Sequence, residues 1–392
     1  MRPTPGEEKE MNRLEISQNR YLTVSRKGAC LLAFIPLFLG LCGIVAAQPV
    51  DPDATQETVT LLRSLDASRG KVILFGHQET TLYGIGWTAA GTGDSDVKRT
   101  TGTFPAVYGW DLFEPRETTL GRDAGSLHEH VMAAHARGGM NTFSWHYSNP
   151  VAGGNFYDTT KAVPAILPGG EKHAAFLADL DFIAAFFQGL RDTSGRLIPV
   201  IFRPWHEHNG KWFWWGTPHH CTEDEFRTLW RFTVDYLRNE KKVHNVLYAW
   251  SPNWSRRDEY FTGYPGDEYV DVFGLDAYVP SLKGVVPLIR QVVEWAEKRG
   301  KIPALTETGY PDGLSKCKRQ HPFTEGILAP LKGDPVASRL AWMLFWRNAG
   351  EDHFWVPPPE HPFAEDFRRF QQDPLIAFGD VRVTGPPDKT NP

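Results

Sequence analysis

Eight apolar runs punctuate the chain from residue 72 onward. They are "VILFGHQ" (Val72–Gln78), "PAVYGWDLF" (Pro105–Phe113), "MNTFSWHY" (Met140–Tyr147), "IPVIFRPWHE" (Ile198–Glu207), "VLYAWSPN" (Val246–Asn253), "VDVFGLDAY" (Val270–Tyr278), "IPALTETGY" (Ile302–Tyr310) and "LAWMLFWRN" (Leu340–Asn348). Each is bounded by turn residues, and the apolar positions are nearly continuous. Such runs fit strands buried on both faces, as in a parallel sheet. Between several of them the period becomes helical. "SLHEHVMAAHARGG" opens at Ser126 with Glu129 three residues on, a capping box, and stops at Gly138. Phe176, Leu180, Ile183, Phe187 and Leu190 share one helix face. Thr222 and Glu225 form a second capping box before the stripe Phe226, Leu229, Trp230, Tyr236 and Leu237. A further helix points Leu288, Ile289, Val292, Val293 and Ala296 inward and ends at Gly300. Helical signals after the first, fifth and seventh runs are weak.

Eight strands with interleaved helices is the count of an α/β (β/α)8 TIM barrel. An open, doubly wound sheet is the alternative. The position of polarity favours the barrel. The runs end in His77-Gln78, Asp111, His146, His206-Glu207, Asn253, Asp276 with Tyr278, Glu307, and Arg347-Asn348. A barrel gathers all eight C-terminal strand ends on one face, where catalytic groups sit, and an open sheet does not. No internal repeat or second domain is visible, so residues 48–380 read as one catalytic domain. Ser148–Gly170 is too long for a barrel connector and reads as a functional loop. The Pro-rich polar tail, residues 381–392, is expected to be flexible.

The 392 residues are 41% hydrophobic and 23% charged, ordinary for a protein with a sizeable core. A net charge of −5 without a basic stripe argues against a nucleic-acid partner. The unusual feature is aromatic content: 14 Trp, 24 Phe and 12 Tyr, suited to cores or to stacking platforms. At the N-terminus, Arg26 and Lys27 precede the apolar run "ACLLAFIPLFLGLCGIVAA", which closes in Val45-Ala46-Ala47. Residues 1–47 therefore read as a secretory signal peptide cleaved after Ala47, with Met11 as an alternative start. A secreted or periplasmic protein without stable membrane insertion is expected. A membrane anchor is the competing reading, since the run is near the lower limit for spanning. Cleavage removes Cys30 and Cys42; Cys221 and Cys317 remain and permit one disulfide.

Two acids stand at strand ends, Glu207 on the fourth run and Glu307 on the seventh. Glycosidic-bond cleavage needs such a pair: one carboxylic acid protonates the leaving oxygen, and the other attacks or stabilises the oxocarbenium-like carbon. Glu207 lies among Trp205, His206 and Trp212, and apolar flanks favour the protonated form that a general acid needs. Glu307 sits deeper in its strand end, where Arg203 could keep it ionised. Trp212, Trp214 and Trp215 follow the acid in a Gly-flanked loop, and one or two of them are expected to face a sugar ring. The competing readings are solvent-facing glutamates with a buried aromatic collar, or a zinc site built on His206, His208, His219 and His220. No spacing selects the remaining zinc ligands.

"FRPWHEHNGKWFWWG" resembles the acid/base segment of glycoside hydrolase family 26, the family best known for β-mannanases, and "ALTETG" resembles its nucleophile segment. "FGHQ", "SWHYSNPVAGG", "GLDAY" and "FWRN" resemble that family's strand ends in the same order, from Val72 to Asn348. The resemblance implies a retaining barrel enzyme with Glu207 as acid/base and Glu307 as nucleophile. It implies substrate-binding roles for His146, His206, Trp212, Asp276, Tyr278, Trp346 and Arg347. His206 is expected to contact substrate or nucleophile, and Tyr278 to lie near the nucleophile with Asp276 as its companion. No cofactor and no metal are expected, and a monomer acting on β-mannan or manno-oligosaccharides is implied. A β-glucanase, a xylanase or an exo-acting mannobiohydrolase is the alternative on the same scaffold. A non-catalytic carbohydrate-binding barrel and a zinc hydrolase rank behind. His208 departs from the family pattern and has no role in it.

Overall fold

The computed structural model describes residues 47–112, 124–254, 259–379 and 382–383. Residues 1–46 of the segment read as a signal peptide, with Met11, Cys30 and Cys42, the end of the second apolar run at Phe113, and most of the 381–392 tail lie outside the described residues. Each of the eight runs forms a strand: β1 (Ile73–Gln78), β2 (Val107–Asp111), β3 (Met140–Ser144), β4 (Val200–Arg203), β5 (Val246–Trp250), β6 (Val272–Tyr278), β7 (Ile302–Gly309) and β8 (Trp342–Phe345). All pair in parallel with their sequence neighbours, and β8 closes on β1 through Leu74–Trp342 to His77–Phe345. The sheet is therefore a closed eight-stranded barrel, as the strand count implied.

Alternation along each strand builds two cores. Leu74, Val107, Ile201, Leu247, Val272, Ile302 and Trp342 pack together inside the barrel. Ile73, Phe75, Tyr108, Phe143, Phe202 and Phe273 join the larger core between strands and helices. Because both faces are covered, the strands read as continuous apolar runs. The first helix, α1 (Gln56–Ser68), is N-capped by the Thr55 hydroxyl and buries Leu61, Leu62 and Leu65 in the inner core. It precedes β1, and Thr55 N donates to the His244 carbonyl (2.9 Å) just before β5, so its apolar face closes the inner core at the N-terminal ends of the strands.

The capping box at Thr222 is present, opening a helix over Glu223–Asp235. Phe176, Leu180, Ile183 and Phe187 are buried along His173–Gly189, as their spacing implied. Two expectations need correction. The helix expected to open at Ser126 runs over Ala124–Ala136, so Ser126 lies in its first turn rather than at the cap. In the helix Val286–Lys298, Ile289, Val292, Val293 and Ala296 are buried but Leu288 is only half-buried. The weak helical signals match short elements: a helix over Asp96–Thr101 after β1, a 3-10 turn over Asp267–Tyr269 after β5, and a short helix over Ala329–Lys332 after β7. Cys221 and Cys317 are both free, Cys221 in the core.

Candidate active site

The chain leaves β4 at Arg203 and turns sharply through Pro204-Trp205-His206-Glu207. Trp205 and Glu207 take left-handed backbone angles, φ 51° and 50°. Such angles cost non-glycine residues about 1–3 kcal/mol each and persist only where surroundings hold them. Here Glu207 N donates to the Ser251 carbonyl (2.9 Å) and Gly210 N to the Glu207 carbonyl (2.9 Å). Trp215 Nε1 donates to the His206 carbonyl (2.8 Å) and Trp214 Nε1 to the Tyr147 carbonyl (2.7 Å). Both indoles are fully buried and brace the turn. Trp212 alone of the three faces the cleft, donating Nε1–H to Glu207 Oε2 at 2.9 Å. A methyl group on Gly210 would run into that indole, so glycine lets it fold back over the turn.

The second oxygen of Glu207, Oε1, accepts from Asn253 Nδ2 at 2.7 Å. Asn209 clamps the Asn253 backbone from both sides, at 2.8 Å each. Burial pushes the Glu207 carboxyl up to about 7, and the charge of Glu307 adds to that shift. This is the environment of an acid that keeps its proton near neutrality.

Glu307 is delivered by a β-bulge. Leu275 and Asp276 of β6 are consecutive, yet their partners on β7 are Leu305 and Glu307. Against β8 the same extra residue of β7 appears, since Met343 and Phe345 pair with Leu305 and Thr308. Thr306 and Glu307 can therefore both reach inward at the barrel mouth. Thr306 Oγ1 donates to Asp276 Oδ1 (2.7 Å), while Glu307 lines the cavity. Tyr278 donates its hydroxyl to Glu307 Oε2 at 2.7 Å, and Arg203 Nη2 donates to Oε1. Burial works against the Arg203 charge, but Asp276 and Glu307 outweigh it and hold the guanidinium firmly protonated. The two carboxyls thus share one mouth in opposite surroundings: Glu207 meets neutral donors, Glu307 a cation and a phenol.

The cavity above them measures about 440 Å³ and is lined by His146, His206, Trp212, Tyr278 and Trp346 in addition to both acids. His146 Nδ1 is bound to Asp111, which outweighs burial and raises the imidazole's pKa. Burial lowers that of His206 well below the usual value, aided by Arg203 and His146. The rings meet Nε2 to Nε2 at 3.1 Å, one nitrogen donating to the other. Among the described residues, His206 Nδ1 has no hydrogen-bond partner.

Two predicted residues stand elsewhere. Asp276 is fully buried beneath the cavity, held by Arg203 Nη1 (2.8 Å), Ser251 and Thr306. Its position is that of a support for Arg203 rather than a substrate contact. Arg347 lines a neighbouring cavity of about 490 Å³ with Tyr83, Gly84, Gly86, Trp87, Thr88 and Ala349, and its Nη1 donates to Tyr83 Oη at 2.9 Å. Tyr157, Pro311, His353 and Trp355 belong to no motif named above yet also line the main cavity; of these, Tyr157 lies in the loop Ser148–Gly170 that its length marks as functional. Asn253 and Asp111 stand at strand ends, the one feature that marks them.

The histidines of the zinc reading do not converge. His206 faces His146, whereas His208 is buried between Phe226 (ring centroids 4.6 Å) and Trp250 (4.2 Å) with Nε2 against the Thr262 carbonyl (3.1 Å). Burial lowers its pKa to about 3, so it packs as a neutral core ring. Among the described residues, the His/Cys/Asp/Glu group close enough to share an ion is Asp51, Asp53 and His244. His244 precedes the start of β5, at the opposite end of the strand from this cleft.

Paired carboxyls at a barrel mouth, one kept protonated and one held by donors, beneath an aromatic wall, are the parts that a barrel glycoside hydrolase requires. Residues 50–327 match the model of glycosyl hydrolase family 26, and the chain belongs to that family. It is 38% identical over 326 residues to a mannan endo-1,4-beta-mannosidase of Bifidobacterium adolescentis, across 76% of this chain and 32% of that relative. This chain thus spans only about a third of that relative's length. Among solved structures, a modular endo-beta-1,4-mannanase from Cellulomonas fimi superposes with a TM-score of 0.81 at 42% identity, over 85% of this chain and 78% of that one. A family 26 beta-mannanase from Bacteroides ovatus gives 0.76 at 38%, over 86% and 99%.

Proposed function

We propose that the cleft hydrolyses β-1,4-mannosidic bonds within mannans by double displacement, with retention of the anomeric configuration. The observation that carries this is the unequal pair: Glu207, pushed up to about 7 by burial, and Glu307 between Arg203 and Tyr278. Glu307 attacks the anomeric carbon while Glu207 gives its proton to the departing glycosidic oxygen, leaving a glycosyl ester on Glu307. Glu207, now a carboxylate, takes a proton from water as the water's oxygen attacks the same carbon and frees Glu307. Tyr278 and Arg203 hold the attacking carboxylate in place, and His146 fixes the His206 ring beside it. Trp212 serves as an apolar platform for the leaving sugar, and Trp346 closes the other wall. Neither step calls on a metal or cofactor.

The mannan substrate is supported by the names of the relatives reported above, a mannan endo-1,4-beta-mannosidase and an endo-beta-1,4-mannanase among them. A β-glucanase, a xylanase or an exo-acting mannobiohydrolase is the runner-up, since the same pair serves other β-linked backbones. Export by the N-terminal segment, with cleavage after Ala47, belongs to the same proposal: a polysaccharide is met outside the cell. Among the described residues no helix is long and apolar enough to cross a membrane.

A panel of mannan, glucomannan, galactomannan, mixed-linkage glucan and xylan, run with and without chelator, tests the reading. Activity on mannans that persists in chelator is the expected result. Cleavage of glucan or xylan alone would overturn the mannan assignment, and loss of activity in EDTA would overturn the metal-free mechanism.

A further inference from the structure

Trp346 lines the catalytic cavity, and Arg347, next in the chain, lines the second one. The far wall of the second cavity is a short hairpin, Tyr83–Gly84 paired with Trp87–Thr88. So small a hairpin is not stable alone. Besides the Arg347–Tyr83 bond and Arg99 over the Trp87 ring, a buried carboxylate holds it from behind. Asp96, 2% exposed at the start of the Asp96–Thr101 helix, accepts three N–H groups from two different walls. Trp87 Nε1 donates to Oδ1 (2.6 Å) and Ile85 N to Oδ2 (2.9 Å), both from the hairpin. Asn348 Nδ2 donates to Oδ2 (2.8 Å) from the end of β8. Asn348 in turn accepts from Trp355 N (2.8 Å), and Trp355 lines the catalytic cavity. A Cβ on Gly84 would collide with the Asp96 carboxylate and the Trp87 indole nitrogen, so glycine permits this close approach.

We propose that Asp96 is a positioning residue that ties the hairpin wall of the second cavity to the Trp355 wall of the first, and so sets how firmly the cleft grips sugars beyond the one being cleaved. This rests on the reading of the cleft as a mannan site. Every contact of the carboxylate described above is a donor, so an amide in its place turns one donor against another.

The test compares wild type with Asp96→Asn and Trp87→Phe, using an aryl β-mannoside and manno-oligosaccharides of increasing length. Active-site titration corrects for any misfolded fraction. Asp96→Asn is expected to raise KM for long oligosaccharides by about tenfold to a hundredfold, the effect of losing a hydrogen bond to a charged group. The loss shrinks as the substrate shortens and is smallest on the aryl mannoside. Amide hydrogen exchange of residues 83–88 speeds up while the barrel strands stay protected. Trp87→Phe removes one of the three donors and is expected to shift KM in the same direction by less. It decides the matter if Asp96→Asn does not fold. Losses equal on all substrates, or exchange unchanged in the hairpin, would overturn the inference while leaving the mannan reading intact. Wild-type inactivity on every mannoside would overturn both.

Discussion

Glu207 and Glu307 are the same residue type in one cavity, and their neighbours divide the labour. Burial and the negative neighbour raise Glu207 to about 7, so it is protonated below that pH and loses its proton above it. The kcat/KM profile is therefore expected to fall on its alkaline side near pH 7, and Glu207→Gln to abolish that limb together with most of the rate. The same shift has a consequence for stability. A carboxyl whose folded pKa lies above its ordinary 4.5 contributes stability below that value and loses it as pH rises through about 7. Whatever fixed offset the amide introduces, the Tm gap between wild type and Glu207→Gln should move in favour of the variant from about pH 4.5 to pH 7, then level off. The change corresponds to a few kcal/mol, on the order expected for a buried carboxyl. A gap constant with pH, in calorimetric scans at low salt, would contradict the environment assigned to Glu207. Truncation separates the roles further. Glu307→Ala should abolish turnover of every substrate. Glu207→Ala should cost about 10²–10⁴-fold on polysaccharide yet spare aryl glycosides whose leaving groups need little protonation. Equal loss of both activities in both variants would undercut the assignment.

At the scale of elements, the site depends on devices that the apolar pattern only half reveals. The strands were legible because both faces are buried, and the strand ends because polarity enters there. The β7 bulge was not legible. "IPALTETG" carries no glycine or proline at Thr306-Glu307, and the extra residue shows only in the register against β6 and β8. His208 was unreadable for a related reason: within H-E-H, alternate positions suggest a shared direction, but the left-handed turn at Trp205 and Glu207 sends His206 to the cleft and His208 into the core. The loop Ser148–Gly170 was marked by its length, and one residue organises its start. Asn149 Nδ2 donates to the carbonyls of Asp158 (2.8 Å) and Thr160 (2.7 Å), while its Oδ1 accepts from the Val151 and Ala152 amides. The loop carries Phe156, packed on His146, and Tyr157 at the cavity rim. Asn149→Ala should destabilise the fold by about 1–3 kcal/mol, the usual effect of orphaning buried groups. It should also open 150–160 to limited proteolysis and raise KM more than it lowers kcat. An unchanged KM with normal proteolytic resistance would show that the loop does not shape the cleft.

For the whole molecule, the barrel places its chemistry at one end and its fastening at the other. α1 buries Leu61, Leu62 and Leu65 in the inner core, whereas Glu207, Glu307, Tyr278 and Trp346 stand at or beyond the C-terminal ends of four different strands. These groups come from sequence positions far apart and meet only because the sheet closes between β8 and β1. That is why the acid pair was recognisable from strand ends, while Trp355 and Tyr157, supplied by long loops, were not. The central claim is that Glu307 is the nucleophile of a retaining mannoside hydrolase. Incubation with a 2-fluoro-β-mannosyl fluoride, followed by proteolysis and peptide mass spectrometry, tests it most directly. One mannosyl label per chain, on the peptide spanning Ile302–Tyr310 and lost in Glu307→Ala, is the predicted result. No covalent adduct from a protein that cleaves mannan, or a label on Glu207, would contradict it.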